Sequence, residues 1–314
     1  MSKRDSVLAV LGAADAQAYV PAAFFLHFDP ACHFGHAAID RHLEYFRATG
    51  MDFVKIQYER RFPPVPSIRR ARDWRAMPVY GEEFFAPQLE VVEGIVKEVG
   101  REAVVVVTLY SPFMCAGHAV GEEIVLEHLR DDPEPVKAGM QAVAESLLTF
   151  VKACIRRGVD GFYHSTQGGE SDRLADRTLF DEIVRPYDLA LMNEADRSCS
   201  FNILHVCDYL GEYDDLTRFQ EYPGHVVSCP LAVAGHPLPP ADASRFFGRP
   251  VMGGLDRLGI ITTGSEAEIR AATEAVLRQA PERFILGADC TVPADTPWRN
   301  LRVAIDTAHA WRRG

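Results

Sequence analysis

The 314-residue chain lacks an excess of positive charge, an even set of cysteines and a long uninterrupted apolar run. Each shortage excludes a class of protein. Lys and Arg number 33 against 44 Asp and Glu, which leaves a net charge of −11. Nucleic-acid binding draws on a basic footprint that is missing here. The apolar stretches read as shorter than the roughly 18–20 residues of a bilayer-spanning helix. The opening "MSKRDSVLAVLGAADAQAY" is basic and then apolar, like a secretion signal, but Asp15 and Gln17 interrupt it. It reads instead as an amphipathic helix, and the chain is expected in the cytoplasm. The seven cysteines (Cys32, Cys115, Cys154, Cys199, Cys207, Cys229 and Cys290) are odd in number and scattered, which argues against a disulfide framework.

What is present is an ordinary enzyme composition, 47% apolar and 25% charged, enough for a sizeable core. Strand-like and helix-like segments alternate along the whole chain. Strands are expected at 22–28, 52–58, 103–110, 160–166, 200–207, 225–230, 249–255 and 283–289. Helices are expected at 36–50, about 86–99, 174–197, 213–221, 265–280 and 298–312, with a long helical region broken by "DDPEP" at 131–135. The segment "AVVVVTLY" is nearly all β-branched, as in a strand buried on both faces. The 265–280 helix opens with a Ser-x-x-Glu pattern one residue off an ideal capping box. Eight strands each followed by a helix predict one (β/α)8 TIM-barrel domain over 1–314, with an N-terminal helix and a long loop at about 60–85.

In such a barrel, chemistry sits at the C-terminal ends of the strands. "NILHVCDYLG" ends the fifth strand, and its His205 and Cys207 lie two residues apart, so both side chains take the same face. Cys290 ends the eighth strand in "LGADCTVPADTP". One imidazole and two thiolates make a zinc donor set, with a fourth position open for water or substrate. From residue numbers alone a His-x-Cys arises by chance about 0.25 times in such a chain, so a plain buried pair stays open as the other reading.

Further polar residues are placed near the mouth. His164, Gln167 and Glu170 in "YHSTQGGE" can serve as ligand support, substrate contact or fourth ligand, or be plain loop residues. Asp289 can orient a ligand's N–H or cap a helix. Tyr110 can bond substrate or fill core, and Glu59 can meet a cationic substrate. His27, Asp29, His33 and His36 form a cluster that is either a polar pocket wall or a second metal site. Arg60, Arg61, Arg69, Arg70 and Arg72 can bind an anion or form a solvated loop.

The runs "ILHVCDYLGEYDDL" and "FILGADCTVPADTPWRNLRVAIDTAHAW", with "VMGGLDRLGII", resemble the uroporphyrinogen decarboxylase superfamily over about 150–314. Within it they are most similar to the methylcobamide-dependent thiol methyltransferases of the coenzyme M type. The resemblance implies a TIM barrel, zinc held by His205, Cys207 and Cys290, a thiol acceptor, a corrinoid methyl carrier on a partner protein, and a homodimer. This chain departs from the porphyrin decarboxylases at "LHFDPACHFGH", which carries no Arg where a tetrapyrrole's carboxylates would need fixed bidentate cations. It also carries no cobalamin-binding Asp-x-His-x-x-Gly segment. A zinc-dependent methyltransferase leads. A metal-free decarboxylase or lyase using His205 as acid, and a non-catalytic subunit of a corrinoid pathway, stay open beside it.

Overall fold

The computed structural model describes residues 2–12, 19–174 and 176–312. Asp15 and Gln17 lie outside the described residues. The N-terminal helix that is seen covers Lys3–Ala9, and Ser2 and Asp5 close its first turn as a capping box.

Among the described residues nine strands follow: β1 (Phe53–Ile56), β2 (Val104–Tyr110), β3 (Gly161–Thr166), β4 (Ile203–Val206), β5 (Val226–Ser228), β6 (Ala232–Val233), β7 (His236–Pro237), β8 (Val251–Leu255) and β9 (Phe284–Ala288). Seven of them form one curled parallel sheet in the order β1-β2-β3-β4-β5-β8-β9, and β6 and β7 make a separate antiparallel hairpin. Parallel neighbours need crossovers, and the intervening helices supply them. Val104 to Val107 are wholly buried, as a strand covered on both faces requires. Gly161 opens β3 where a Cβ would lie 1.8 Å from the Phe201 carbonyl oxygen, so only glycine lets β3 approach the chain entering β4.

The expected first strand, 22–28, does not form, so the sheet has seven strands where eight were expected. The segment makes one parallel bridge, Ala22 to Leu286. Beyond it, other partners occupy its carbonyls. Tyr45 Oη donates to Phe24 O at 3.0 Å, Gln57 Nε2 to Leu26 O at 2.6 Å, and the Val292 N–H to Phe25 O at 2.8 Å. These bonds come from two side chains and a loop N–H, not from a neighbouring strand's ladder.

Asp52 joins this segment to β1. Its carboxylate accepts from Ala22 N at 2.8 Å, Tyr19 Oη at 2.8 Å and His309 Nε2 at 2.7 Å, with Lys3 Nζ at 3.4 Å. One buried acid thus ties both described ends of the chain to the edge of the sheet.

The helices differ from expectation in instructive ways. The region after β2 is three helices, Pro112–Val120, Glu122–Asp131 and Pro133–Arg156. The last is long and apolar enough to cross a membrane, contrary to the reading that no run was, but 61% of its apolar window is buried inside this fold. The expected 174–197 helix is interrupted by a π turn at Phe180–Val184, just before Pro186, which has no N–H to give. The 213–221 helix is only a 3-10 turn at Thr217–Phe219, while Pro240–Phe247 is helical and was not anticipated. Ser265 and Glu268 form a capping box in full register, correcting the one-residue offset.

Burial pushes the Asp52 carboxyl up, but the His309 hydrogen bond and the charges of His309 and Lys3 outweigh it and hold it below the usual range. A depressed carboxylate contributes stability that is complete above its unfolded pKa and is lost as pH falls through the folded one. Asp52→Asn is therefore expected to lower stability at neutral pH by about 1–3 kcal/mol and to flatten the loss below about pH 4. Denaturant melts of both proteins across that range check it, and parallel acid limbs would refute it.

Candidate metal centre

His205 lies on β4 and Cys207 just beyond it. The Cys207 N–H donates to Thr166 O at 3.1 Å, which carries the β3–β4 pairing one step past the strand and holds Cys207 in the pleat. Side chains at i and i+2 then share a face. Cys290 arrives on the loop after β9, which is pinned by Asp289 N–H to Leu255 O at 3.0 Å and Val292 N–H to Phe25 O at 2.8 Å. The two sulfurs are 3.8 Å apart, Cys290 Sγ lies 3.4 Å from His205 Nε2, and the three donor atoms all fall within 4.8 Å of one another. All three residues are buried. Zn–S bonds of about 2.3 Å and Zn–N bonds of about 2.0–2.1 Å at tetrahedral angles separate two sulfurs by about 3.8 Å and sulfur from nitrogen by about 3.5 Å. The two measured edges match those spans, and a soft nitrogen–sulfur donor set suits zinc. Among the described residues this is the one group of His, Cys, Asp or Glu so arranged.

The surroundings orient these donors. Ser228 on β5, in register with His205, lies 3.2 Å from His205 Nδ1, and its Oγ is 3.4 Å from Tyr163 Oη. With Nδ1–H donating to Ser228, Nε2 is left bare toward the sulfurs. Gln167 Nε2 donates to Cys207 Sγ at 3.4 Å. The contact with Cys290, joined by the bond from the Gln167 amide, pulls the Cys207 thiol well below its ordinary range against the push of burial. The same contact pushes Cys290 well above its ordinary range, and burial adds to the rise.

The centre opens on a cavity of about 190 Å³ whose wall includes Lys55, Thr108, Tyr110, Tyr163 and Gln167. Drug-sized ligand pockets run to about 300–1,000 Å³, so this one suits a small metabolite.

The sequence pattern of the family described as uroporphyrinogen decarboxylase (URO-D) matches residues 30–311. The chain belongs to the URO-D family. Within the curated proteins it is 25% identical over 199 residues to a methylated-thiol–coenzyme M methyltransferase of Methanosarcina mazei. That match takes in 63% of this chain and 50% of the relative, so the chain spans about half the length of the curated relative it matches. A solved methyltransferase from Methanosarcina mazei shares the fold, with TM-score 0.74 at 12% identity over 98% of each chain. A B12-independent methionine synthase from Shewanella sp. W3-18-1 superposes less well, with TM-score 0.55 at 12% identity over 93% of this chain and 97% of that one.

On this URO-D frame the other expected site residues separate. Gln167, Tyr110 and His27 line the cavity. Gln167 Oε1 is buried with no hydrogen-bond partner. His164 does not reach it. As the neighbour of inward-facing Tyr163 and Ser165 it points to the helix layer, 3.5 Å from Asp188. Glu170 is held by Gly168 N–H at 2.8 Å and Arg173 at 2.7 Å, outside the donor group. Asp289 pairs with Arg257 at 3.0 Å and leaves the role of orienting His205 to Ser228. Glu59 faces His27 at 2.9 Å and His33 at 3.7 Å, and so is occupied internally. Asp29 caps a 3-10 turn and His36 is exposed, so the four-residue cluster assembles no second metal group among the described residues. Of the arginines, Arg61 reaches the cavity, while Arg69, Arg70 and Arg72 are exposed around the 3-10 helix Ala71–Ala76.

Ser228 and Lys55 were missed. Ser228 is a lone hydroxyl ending the strand "VVS", and Lys55 a lone ammonium inside "FVKI". A polar side chain in an otherwise apolar strand was the available signal for both.

Removing the hydroxyl of Ser228 frees the His205 ring, and lost outer partners weaken metal binding by about 10–100-fold. Ser228→Ala is therefore expected to lower zinc affinity by that factor with the fold intact. Competition against a chromogenic chelator measures it, and unchanged affinity would remove Ser228 from the site.

Proposed function

We propose that the chain is a zinc-dependent methyltransferase, moving a methyl group between a corrinoid or methylated small molecule and a thiol or related acceptor. The observation that carries this reading is the convergence of two sulfurs and an imidazole nitrogen within 4.8 Å, at the strand ends of a URO-D-family sheet. The similarity to a protein named for methylated thiols supports it.

His205, Cys207 and Cys290 would hold zinc and leave a fourth position facing the cavity. Bound there, zinc supplies the positive charge that turns a substrate thiol, ordinarily protonated at neutral pH, into a nucleophilic thiolate. The remaining work falls to the chain. Ser228 holds the His205 proton at Nδ1, so Nε2 stays a donor. Gln167 holds Cys207 through its amide. Tyr110, Tyr163 and Met114 wall the cavity and exclude water from the sulfur.

A corrin ring is too large for 190 Å³, so the methyl carrier would meet the mouth from outside, on a partner protein. The same size argument disfavours uroporphyrinogen itself. All seven cysteines are free, which fits a reducing cytoplasm.

Purified protein is expected to hold about one zinc per chain, and Cys207→Ser or Cys290→Ser to lose it. Elemental analysis with circular dichroism decides the matter. Folded, zinc-free protein that still turns over a methyl donor would eliminate the zinc reading.

A further inference from the structure

His27 and Glu59 form a hydrogen-bonded pair beside the cavity that the zinc reading leaves without work. The Glu59 side chain is only 7% exposed, and His27 Nδ1 lies 2.9 Å from its Oε1. The acid is held from two more sides. Its backbone N–H donates to Gln88 Oε1 at 2.9 Å, and its other carboxylate oxygen lies 3.7 Å from His33 Nδ1. His33 is anchored in turn, with its Nε2–H donating to Phe28 O at 3.0 Å. Burial pushes the Glu59 carboxyl up, but the His27 hydrogen bond and the charges of His27, His33 and Arg61 outweigh it and hold it below the usual range. An ionised carboxylate only accepts, so His27 Nδ1 carries the hydrogen and Nε2 keeps its lone pair. Among the described residues no hydrogen bond occupies that Nε2. The ring lines the same cavity as Cys207 and Cys290, and its side chain is 42% exposed, so it meets both the site and solvent.

A thiol held by zinc as thiolate has lost a proton, and that proton needs an acceptor. The other titratable groups of the cavity wall are poor ones at neutral pH. Arg61 is a fixed cation, and burial lowers Lys55 only to about 8, which leaves it mainly protonated. Phenols keep their protons there, and burial pushes Tyr110 and Tyr163 higher still. His205, Cys207 and Cys290 are engaged with one another. His27 is the remaining base.

We propose that His27, oriented by Glu59, is the general base that takes the proton of the substrate thiol, and the acid that returns it in the reverse direction. The inference rests on the zinc–thiol reading and adds to it the fate of the proton. The S–H bond breaks, its electron pair stays on the sulfur that enters the open metal position, and the proton goes to the lone pair of His27 Nε2. Glu59 stabilises the imidazolium so formed, and the exposed part of the ring passes the proton on to water. Glu59 is thus a positioning residue, acting through His27.

The test follows thiol binding rather than turnover. Cobalt(II) takes the place of zinc in wild type, His27→Ala and Glu59→Gln, with metal content checked by elemental analysis and folding by circular dichroism. Stopped-flow absorbance of the thiolate-to-cobalt band then reports 2-mercaptoethanol reaching the metal at neutral pH. The His27 side chain is partly exposed, so His27→Ala is expected to fold, and it decides alone should Glu59→Gln not fold. A base speeds both directions alike, so His27→Ala should slow association and dissociation together, by about 100-fold, with Kd unchanged. Added imidazole should restore the rates of His27→Ala and leave wild type unaffected. Glu59→Gln should slow both rates by a smaller factor, again at constant Kd. Equal rates in wild type and His27→Ala mean that the thiol arrives already ionised, which overturns the inference and leaves the zinc–thiol reading standing. A weaker Kd with an unchanged association rate makes His27 a plain binding contact and overturns it equally. Folded protein that takes up neither zinc nor cobalt overturns both.

Discussion

Two sulfurs 3.8 Å apart in a buried site cannot both be ionised without positive charge between them, and the surrounding structure is organised by that constraint. Their close contact splits the two thiols, with Cys207 held well below the ordinary range and Cys290 pushed well above it. A divalent cation bound there would supply that positive charge and let both thiols act as donors. The neighbours are suited to this binding. Gln167 presents an N–H to the sulfur that gains charge, and Ser228 takes the imidazole N–H on the far side of the ring. Neither introduces a second negative charge beside the thiols.

The fold makes the convergence possible by register. In a parallel sheet each strand delivers alternate side chains to one interior, and Tyr163, Ser165, His205 and Cys207 arrive there together, while His164 is turned away. A seven-stranded sheet leaves β1 and β9 as edges, with backbone groups that need partners. The segment after Pro21 covers them by single hydrogen bonds, with Asp52 fixing it to β1. The same stretch then accepts the N–H of Val292, two residues past Cys290, so the closing of the sheet and the seating of the third sulfur are mechanically linked.

Membership of the URO-D family specifies the scaffold, whereas the chemistry is argued from the groups the scaffold carries. The cavity is small and its wall holds a buried lysine beside aromatic rings. Those features describe a pocket sized for one compact molecule.

The sequence by itself determined the alternation of strands and helices, the pairing of His205 with Cys207 on one face, and Cys290 as their partner. These rest on local rules, period two in a strand and chemistry at strand ends, which a linear reading can apply. It did not determine which polar residues reach the mouth. His164, Glu170 and Asp289 sit beside the right strands but are turned outward or held by Asp188, Arg173 and Arg257. Ser228 and Lys55 come from strands whose sequences carry little sign of a site. Only tertiary structure decided these, because a side chain's partner is whatever the neighbouring strand or helix places within about 3 Å, and that neighbour lies tens of residues away in the chain. The missing strand at 22–28 belongs here too: its sequence favours a strand, but its carbonyls are bonded by side chains from distant parts of the chain.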